Sequence, residues 1–461
     1  MDVLIKISQF IACISLLVIV HEFGHYLFSR LFKIRVEKFY LFFNPKFSLV
    51  RMKRINGKWQ FSWLSEAPPA EWKNHPEKTE WGIGWLPLGG YCKIAGMIDE
   101  SMDTDQMRRE PEKWEFRTHP AWQRLLVMVG GVMFNVILAM GIYVGITYKW
   151  GDVYVANRDV THGVSVGYLG EAMGIENGDK IIRVGEEEVE SFNAIVISIV
   201  RNQAESITVD RNGSLLELPV KVNDRIRLRK TSPENFISPR IPFIAADFTE
   251  SSPASEAGVK LLDEIVAVNG IPVTFFDEAK QLISECKGEP ITVSVSREGG
   301  SLDIPLTVSD EGFIGIYPQN TIPYTHISYG FFESIPQGVK KGVNEIGNYL
   351  KDLQLIFSPK EKAATDVGGF ITIVKVFPGQ WSWYSFWTLC ALLSIMLAVV
   401  NMLPIPALDG GHVLFLLYEI VARRKPSEKF MVNMQLIGFL LLFALIIFAN
   451  GNDIVRLFSK S

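Results

Sequence analysis

The chain has 461 residues, 48% of them hydrophobic, and a formal net charge of −4. That balance, with no basic stripe and no finger or RNP pattern, excludes a nucleic-acid-binding protein. The four cysteines (Cys13, Cys92, Cys286 and Cys390) are scattered, two of them in apolar runs, which argues against a disulfide framework or a thiolate zinc site.

Four apolar segments, 3–32, 122–148, 383–403 and 431–449, have spanning length, since about 20 apolar residues cross a bilayer as helix. The first has no small-residue cleavage site after it and is too long for a signal peptide, so it reads as a retained helix. Arg30, Lys33, Arg35 and Lys38 follow the first span, Arg117 and Arg124 flank the second, and Arg423, Arg424, Lys425 and Lys429 lie between the last two. Cationic loops stay cytoplasmic. Both termini and residues 151–380 are then expected outside the inner face, in the periplasm of a double-membrane bacterium.

The first span holds LLVIVHEFGHYLF, with ionisable residues where hydrocarbon is expected. HEFGH is an HExxH pattern. On a helix, positions i and i+4 share a face, so His21 and His25 can present imidazole nitrogens to one metal. Glu22 is placed to hold the metal's water as the general base of a metalloprotease does. Interhelical hydrogen bonding is the bland alternative, but intramembrane ionisable groups are functional candidates by default.

RMKRINGKWQFSW (51–63) alternates around Asn56-Gly57, a strong hairpin signal. GIGWLPLGGYCKIAGM (82–97) is apolar and glycine-rich but too short to span. A sheet edge there could pair with an extended peptide, or the hairpin could lie on the membrane surface. In the second span, GVMFN (131–135) places Asn135 to orient the site or hold an oxyanion, whereas small-residue helix packing is the better reading of Gly131 alone.

MGIENGDKIIRVGEEEVESF (173–192) repeats as AGVKLLDEIVAVNGIPVTFF (257–276), with Asp179 and Asp263 in the same place and charged turns near Arg211 and Arg297. These units resemble PDZ domains of the circularly permuted bacterial kind, although Leu261-Leu262 stands where Pro-Gly is usual. Peptide binding and a spacer or lid role both stay open, because neither copy displays a clear carboxylate-binding loop. Residues 327–357 have helical spacing at Val339, Val343, Ile346, Leu350 and Leu353, as in an amphipathic helix on a membrane face or a helix packed on the second repeat.

The third span ends in NMLPIPALDGGH (401–412). Pro404 and Pro406 break the helix, and an aspartate in a broken membrane segment is costly unless it coordinates or pairs. A catalytic zinc takes three protein ligands and a water. Asp409 is the favoured third ligand and His412 the rival, its alternative being a packing or ligand-supporting role.

Together, HExxH in the first span, NxxPxPxLDGGH in the third and a PDZ-like pair between spans two and three resemble the site-2 protease family of intramembrane zinc metalloproteases. The resemblance covers nearly the whole chain. It implies one catalytic Zn²⁺ on His21, His25 and Asp409, Glu22 as catalytic acid/base, and Asn401, Pro404, Pro406, Asn135, Gly89 and Gly90 toward the substrate. PLGGY (87–91) resembles the family's membrane-associated β region, thought to pair with unwound substrate. GVMFN resembles GPxxN with Val132 in place of proline, and VGGFITI (367–373) a GGPI stretch with Phe370 in place of proline.

The expected fold is therefore a polytopic α-helical membrane protein with four transmembrane helices, a membrane-associated β-hairpin region and two tandem periplasmic PDZ domains. Its segments are 1–33 with HExxH, 34–120 the β region, 121–149, the PDZ-like 150–225 and 226–312, the amphipathic 325–358, 382–412 with LDGG, and 430–450. The expected function is intramembrane zinc endoproteolysis of single-pass membrane proteins, an anti-sigma factor after periplasmic trimming or remnant signal peptides, with the PDZ pair as a size filter. A non-catalytic scaffold is countered by the intact Glu22. A metal transporter is countered by polar groups that gather near one face rather than forming a track across the spans.

Overall fold

The computed structural model describes residues 2–87, 89–97 and 110–458. The chain divides into two compact units, residues 1–151 with 328–350 and 364–461, and residues 152–327 with 351–363.

In the first unit, α1 (Asp2–Leu31) and α2 (Ala121–Trp150) are each 30 residues long. At 1.5 Å per residue each reaches about 45 Å, beyond the roughly 30 Å of hydrocarbon. They cross where Gly24 meets Gly130, and a Cβ on Gly24 would lie 2.5 Å from the Gly130 carbonyl carbon. Backbone touches backbone there, as small residues allow between membrane helices.

Between the two helices lie β1 (Val36–Leu41), β2 (Ser48–Ile55), β3 (Lys58–Ser65), β4 (Glu80–Ile83) and β5 (Tyr91–Ile94), in the order β3-β2-β4-β1-β5. Asn56 and Gly57 have φ of 48° and 80°. Both are positive, as the two-residue type I′ turn requires, so Ile55 faces Lys58 across the expected hairpin. Of the PLGGY stretch, Leu88 lies outside the described residues.

The second unit holds the repeat. Its first copy comprises β6 (Asp152–Tyr154), β7 (Val164–Val166), α3 (Tyr168–Ala172), β8 (Lys180–Val184), β9 (Glu187–Glu188), α4 (Ile195–Arg201), β10 (Ser206–Arg211), β11 (Ser214–Pro219), α5 (Val222–Leu228) and β12 (Ile237–Pro239). The second comprises β13 (Ala245–Phe248), α6 (Pro253–Ala257), β14 (Glu264–Val268), β15 (Ile271–Pro272), α7 (Phe276–Glu285), β16 (Pro290–Arg297), β17 (Gly300–Thr307) and β18 (Ile316–Pro318). The four-stranded sheets match, β11-β10-β8-β9 and β17-β16-β14-β15, and a last strand β19 (Thr325–Ile327) pairs with β6.

The repeated aspartates have one structural job. Asp179 accepts from Arg211 at 2.8 and 2.7 Å and from the Glu176 N–H at 2.9 Å. Asp263 accepts from Arg297 at 2.7 and 2.6 Å and from the Lys260 N–H at 2.8 Å. Each pair ties the turn before a central strand to the end of the neighbouring strand.

Five further helices follow: α8 (Phe331–Phe357), α9 (Phe370–Val376), α10 (Trp383–Met402), α11 (Asp409–Ala422) and α12 (Glu428–Phe458). Within the first unit, Gly338 and Gly342 of α8 lie against Val144 and Met140 of α2, while Val339, Val343 and Leu350 stay exposed. Cys13 and Leu17 of α1, Ala139 and Ile142 of α2, and Cys390 and Ile395 of α10 share one core. Residues 382–412 do not form one helix. α10 stops at Met402 and a new helix opens at Asp409, because neither Pro404 nor Pro406 can donate the backbone hydrogen bond that would continue it. Among the described residues, four helices are long and apolar enough to cross a membrane, Asp2–Leu31, Ala121–Trp150, Trp383–Met402 and Lys429–Arg456.

The Arg297 guanidinium holds the Asp263 carboxyl below its usual range. A depressed carboxylate stabilises the fold above its unfolded pKa of roughly 3.9 and loses that contribution as pH falls through the folded value. Arg297→Met leaves a buried carboxylate with one partner fewer and is expected to lower the local stability of β14 and β16 at pH 7. Hydrogen exchange of the detergent-solubilised chain reads this, and the difference from the native chain should shrink toward pH 3 to 4, as roughly the carboxylate pKa range dictates.

Candidate metal centre

α1 places His21 and His25 one turn apart, ring centroids 4.9 Å from each other, both nearly buried. α2 closes over them. A Cβ on Gly131 would stand 2.5 Å from His25 Nε2 and 2.7 Å from His21 Cε1. No larger residue fits there, so Gly131 makes room for the imidazoles, a use beyond the helix packing expected of it.

Asp409 arrives from the other side. After α10 the chain folds back through short backbone bonds, Ile405 N–H to Leu403 O at 2.7 Å and Leu408 N–H to Ile405 O at 3.0 Å. Ala407 is held at φ 86°, a left-handed conformation costly for a residue with a side chain. A Cβ on Gly411 would sit 2.7 Å from Pro406 Cα, so the loop packs onto the helix it starts. Asp409 thus becomes the first residue of α11.

The three side chains converge on one point. Asp409 Oδ2 lies 3.2 Å from His21 Nε2 and 3.3 Å from His25 Nε2, and the two Nε2 atoms are 3.3 Å apart. Zinc binds nitrogen and oxygen at about 2.0–2.2 Å in tetrahedra, so neighbouring ligand atoms should be about 3.3–3.5 Å apart. The triangle is one face of such a tetrahedron, with a fourth position left for water or substrate. Asp409 Oδ2 is buried with no hydrogen-bond donor, a costly arrangement that a cation relieves. Two imidazoles and a carboxylate suit zinc, and among the described residues they form the one group able to hold a metal ion.

The outer ring nitrogens are also engaged. His25 Nδ1 lies 2.9 Å from the Val127 carbonyl, and His21 Nδ1 lies 3.2 Å from the Asn135 amide. A metal-binding imidazole donates its other N–H, which fixes tautomer and ring orientation. Val127 O accepts directly. Asn135 Oδ1 is buried without a partner, and amide oxygen and nitrogen are interchangeable by a flip. Turned to His21, that oxygen accepts the Nδ1 proton. Asn135 is fully buried, which places it behind the ligand rather than on a substrate-contacting surface, and Ser394 Oγ donates to its backbone carbonyl at 2.8 Å.

The Cys92 backbone N–H of edge strand β5 hydrogen-bonds the Glu22 carboxyl. Gly90, expected toward the substrate, packs tightly: a Cβ there would lie 2.6 Å from Val18 Cγ1. Gly89 abuts the Phe43 ring. Asn401 ends α10, and Pro404 and Pro406 lie in the reversing loop, where the Pro406 carbonyl meets Gly438 of α12. His412 stands apart from the triangle and lines a neighbouring cavity of about 410 Å³ with Arg117, Arg124 and Glu419. Sequence reasoning missed Val127 and Cys92, which act through backbone atoms and carry no residue-type signal.

The model of peptidase family M50 matches residues 9–65 and 67–445 of the chain. A "Regulator of sigma E protease" from Haemophilus influenzae is 26% identical over 478 residues, covering 99% of this chain and 100% of the relative. "Regulator of sigma-E protease RseP" from Escherichia coli is 27% identical over 482 residues, covering 98% of each.

Gly131→Ala is expected to displace both imidazoles and lower the zinc content of the purified chain well below the native value, read by atomic absorption. Asn135→Leu is expected to weaken zinc binding by about 10- to 100-fold in chelator competition. Asn135→Asp, which keeps an acceptor, should retain most of the affinity.

Proposed function

The chain belongs to peptidase family M50, a site-2-type zinc metalloprotease with zinc as cofactor, and from that premise we propose that it cuts single-pass membrane proteins within the bilayer. The observation that carries this reading is the 3.2–3.3 Å triangle of His21 Nε2, His25 Nε2 and Asp409 Oδ2 on membrane-spanning and adjoining helices. Those three residues would hold the zinc, which when bound supplies Lewis acidity and brings water's pKa toward about 7.

The chain's own groups do the rest. Glu22 accepts the proton of the attacking water and returns it to the leaving amine. Val127 and Asn135 hold the two imidazoles in the right tautomer. A transmembrane helix must unwind before its amides can be cut, and its freed N–H and C=O groups then need partners. Among the described residues β5 is the last strand of its sheet, and its Cys92 backbone lies beside Glu22. A substrate strand added to β5 is thereby delivered beside the base. Asn401, Pro404 and Pro406 line the path to Asp409.

The relatives' names describe regulation of sigma E. By extension the substrate is a single-pass anti-sigma factor trimmed beforehand on its periplasmic side, with remnant signal peptides as a further class. The chain sits in a bacterial inner membrane, its active site toward the cytoplasm and its second unit and termini in the periplasm. The two repeats are PDZ domains that filter substrates by size. Peptide binding by the repeats is a further part of this reading.

The test is cleavage of a tagged single-span substrate by the purified chain in detergent, native against Glu22→Gln, with zinc measured on both. Loss of about 10²- to 10⁴-fold in rate with zinc retained is the expected result. Equal cleavage by both forms overturns the role of Glu22. Deleting residues 151–310 should admit untrimmed substrate, and unchanged exclusion would refute the size filter.

A further inference from the structure

The cavity of about 410 Å³ in the first unit is a separate feature from the metal site: among the described residues, none of His21, Glu22, His25 or Asp409 lines it. Its long wall is one face of α11. His412, Phe415, Leu416 and Glu419 line it with helical spacing, and from Gly411 to Glu419 that face runs about 12 Å along the helix. Met431 and Gln435, one turn apart on α12, line it too, as does Arg124 of α2.

The lining has two characters. Arg117, Arg124 and Lys425 bring three cations against a single lining carboxylate, Glu419. Arg124 takes that carboxylate at 2.5 Å, and Arg117 takes Glu115 at 2.5 Å. Lys425 Nζ donates to the Arg117 backbone carbonyl at 3.3 Å and joins no ion pair among the described residues. An ammonium has three donors, so Lys425 has capacity for an anionic acceptor. Exposed Arg423 and Arg424 precede it in the turn between α11 and α12. Between these cations and the turn that delivers Asp409 the wall is mostly apolar, with Phe415, Leu416, Met431 and Pro406. The outer sides of the two helices are apolar and bare, Leu414, Leu417 and Tyr418 on α11 and Leu436 and Leu440 on α12.

We propose that this cavity holds one anionic phospholipid, its phosphate diester at Lys425 and its glycerol and first chain carbons along Phe415, Leu416 and Met431. A soluble phosphate ester would answer the cations and leave the apolar wall without a partner. Hydrocarbon alone would do the reverse. A phospholipid answers both, and cationic pockets between membrane helices bind such headgroups. The volume suits a headgroup and the start of its chains, and the rest of the chains leave past the bare apolar sides of α11 and α12. Two of the bordering helices, α2 and α12, are long and apolar enough to cross a membrane, so lipid is the solvent at hand. Pro406, Ala407 and Gly411 belong both to this wall and to the turn that delivers Asp409. The occupant therefore packs against the strained part of the metal site, and His412 serves the lipid cavity rather than the metal.

The test is native mass spectrometry of the purified full chain in non-ionic detergent, titrated with phosphatidylglycerol, phosphatidylcholine or glycerol phosphate. Zinc content checks the fold of each variant. One phosphatidylglycerol is expected to bind about tenfold more tightly than phosphatidylcholine, as a cationic headgroup site dictates, and glycerol phosphate far more weakly than either. Lys425→Glu is expected to bring phosphatidylglycerol down to the phosphatidylcholine level. Met431→Trp, which fills the apolar wall, should weaken phosphatidylglycerol binding as well. Equal affinity of the native chain for the two lipids overturns the proposal. So does native phosphatidylglycerol affinity in either variant, which places the lipid elsewhere on the chain. Glycerol phosphate bound as tightly as the lipid assigns the cavity to a soluble phosphate ester and overturns it too. If Met431→Trp loses its zinc, Lys425→Glu, at an exposed position, decides.

Discussion

Two imidazole nitrogens, on a helix long and apolar enough to cross a membrane, and a carboxylate oxygen stand within about 3.3 Å of one another, and the rest of the first unit depends on that crowding. Lone pairs so close, away from bulk water, repel unless a cation neutralises them. The helices are built to keep the three atoms together. Gly24, Gly130 and Gly131 let α2 press against α1, Val127 and Asn135 grip the outer ring nitrogens, and the strained Ala407 turn delivers Asp409. The Arg124–Glu419 ion pair at 2.5 Å, between α2 and α11, braces the same arrangement.

Much of this was legible in the sequence because it follows from period and residue type. The i and i+4 spacing puts His21 and His25 on one face regardless of context, and Pro404 and Pro406 stop a helix wherever they occur. Asn-Gly dictates its own turn. The choice between Asp409 and His412 is not legible from spacing alone, since residues three apart are neighbours on one face of a helix. It took the fold-back of residues 403–408 to bring Asp409 to the histidines and leave His412 beside a separate cavity.

Other features were hidden for a different reason. Alternation in 51–63 announces strands but not which face is buried. The part played by Gly131 depends on what crosses α2 at that height. Asn135 carries a polar signal, but only the position of the His21 ring separates orienting a ligand from holding an oxyanion. In the second unit the repeated aspartates were visible, while their arginine partners 32 and 34 residues away acquire meaning only once the strands pair.

The most direct test of the central claim is X-ray absorption at the zinc edge of the full chain loaded with one equivalent of zinc. The account predicts four nitrogen or oxygen neighbours at about 2.0–2.1 Å, multiple scattering from two imidazoles, and loss of one light-atom neighbour's ordered contribution in Asp409→Ala. A third imidazole, which would bring in His412, or a sulfur neighbour at about 2.3 Å would contradict it.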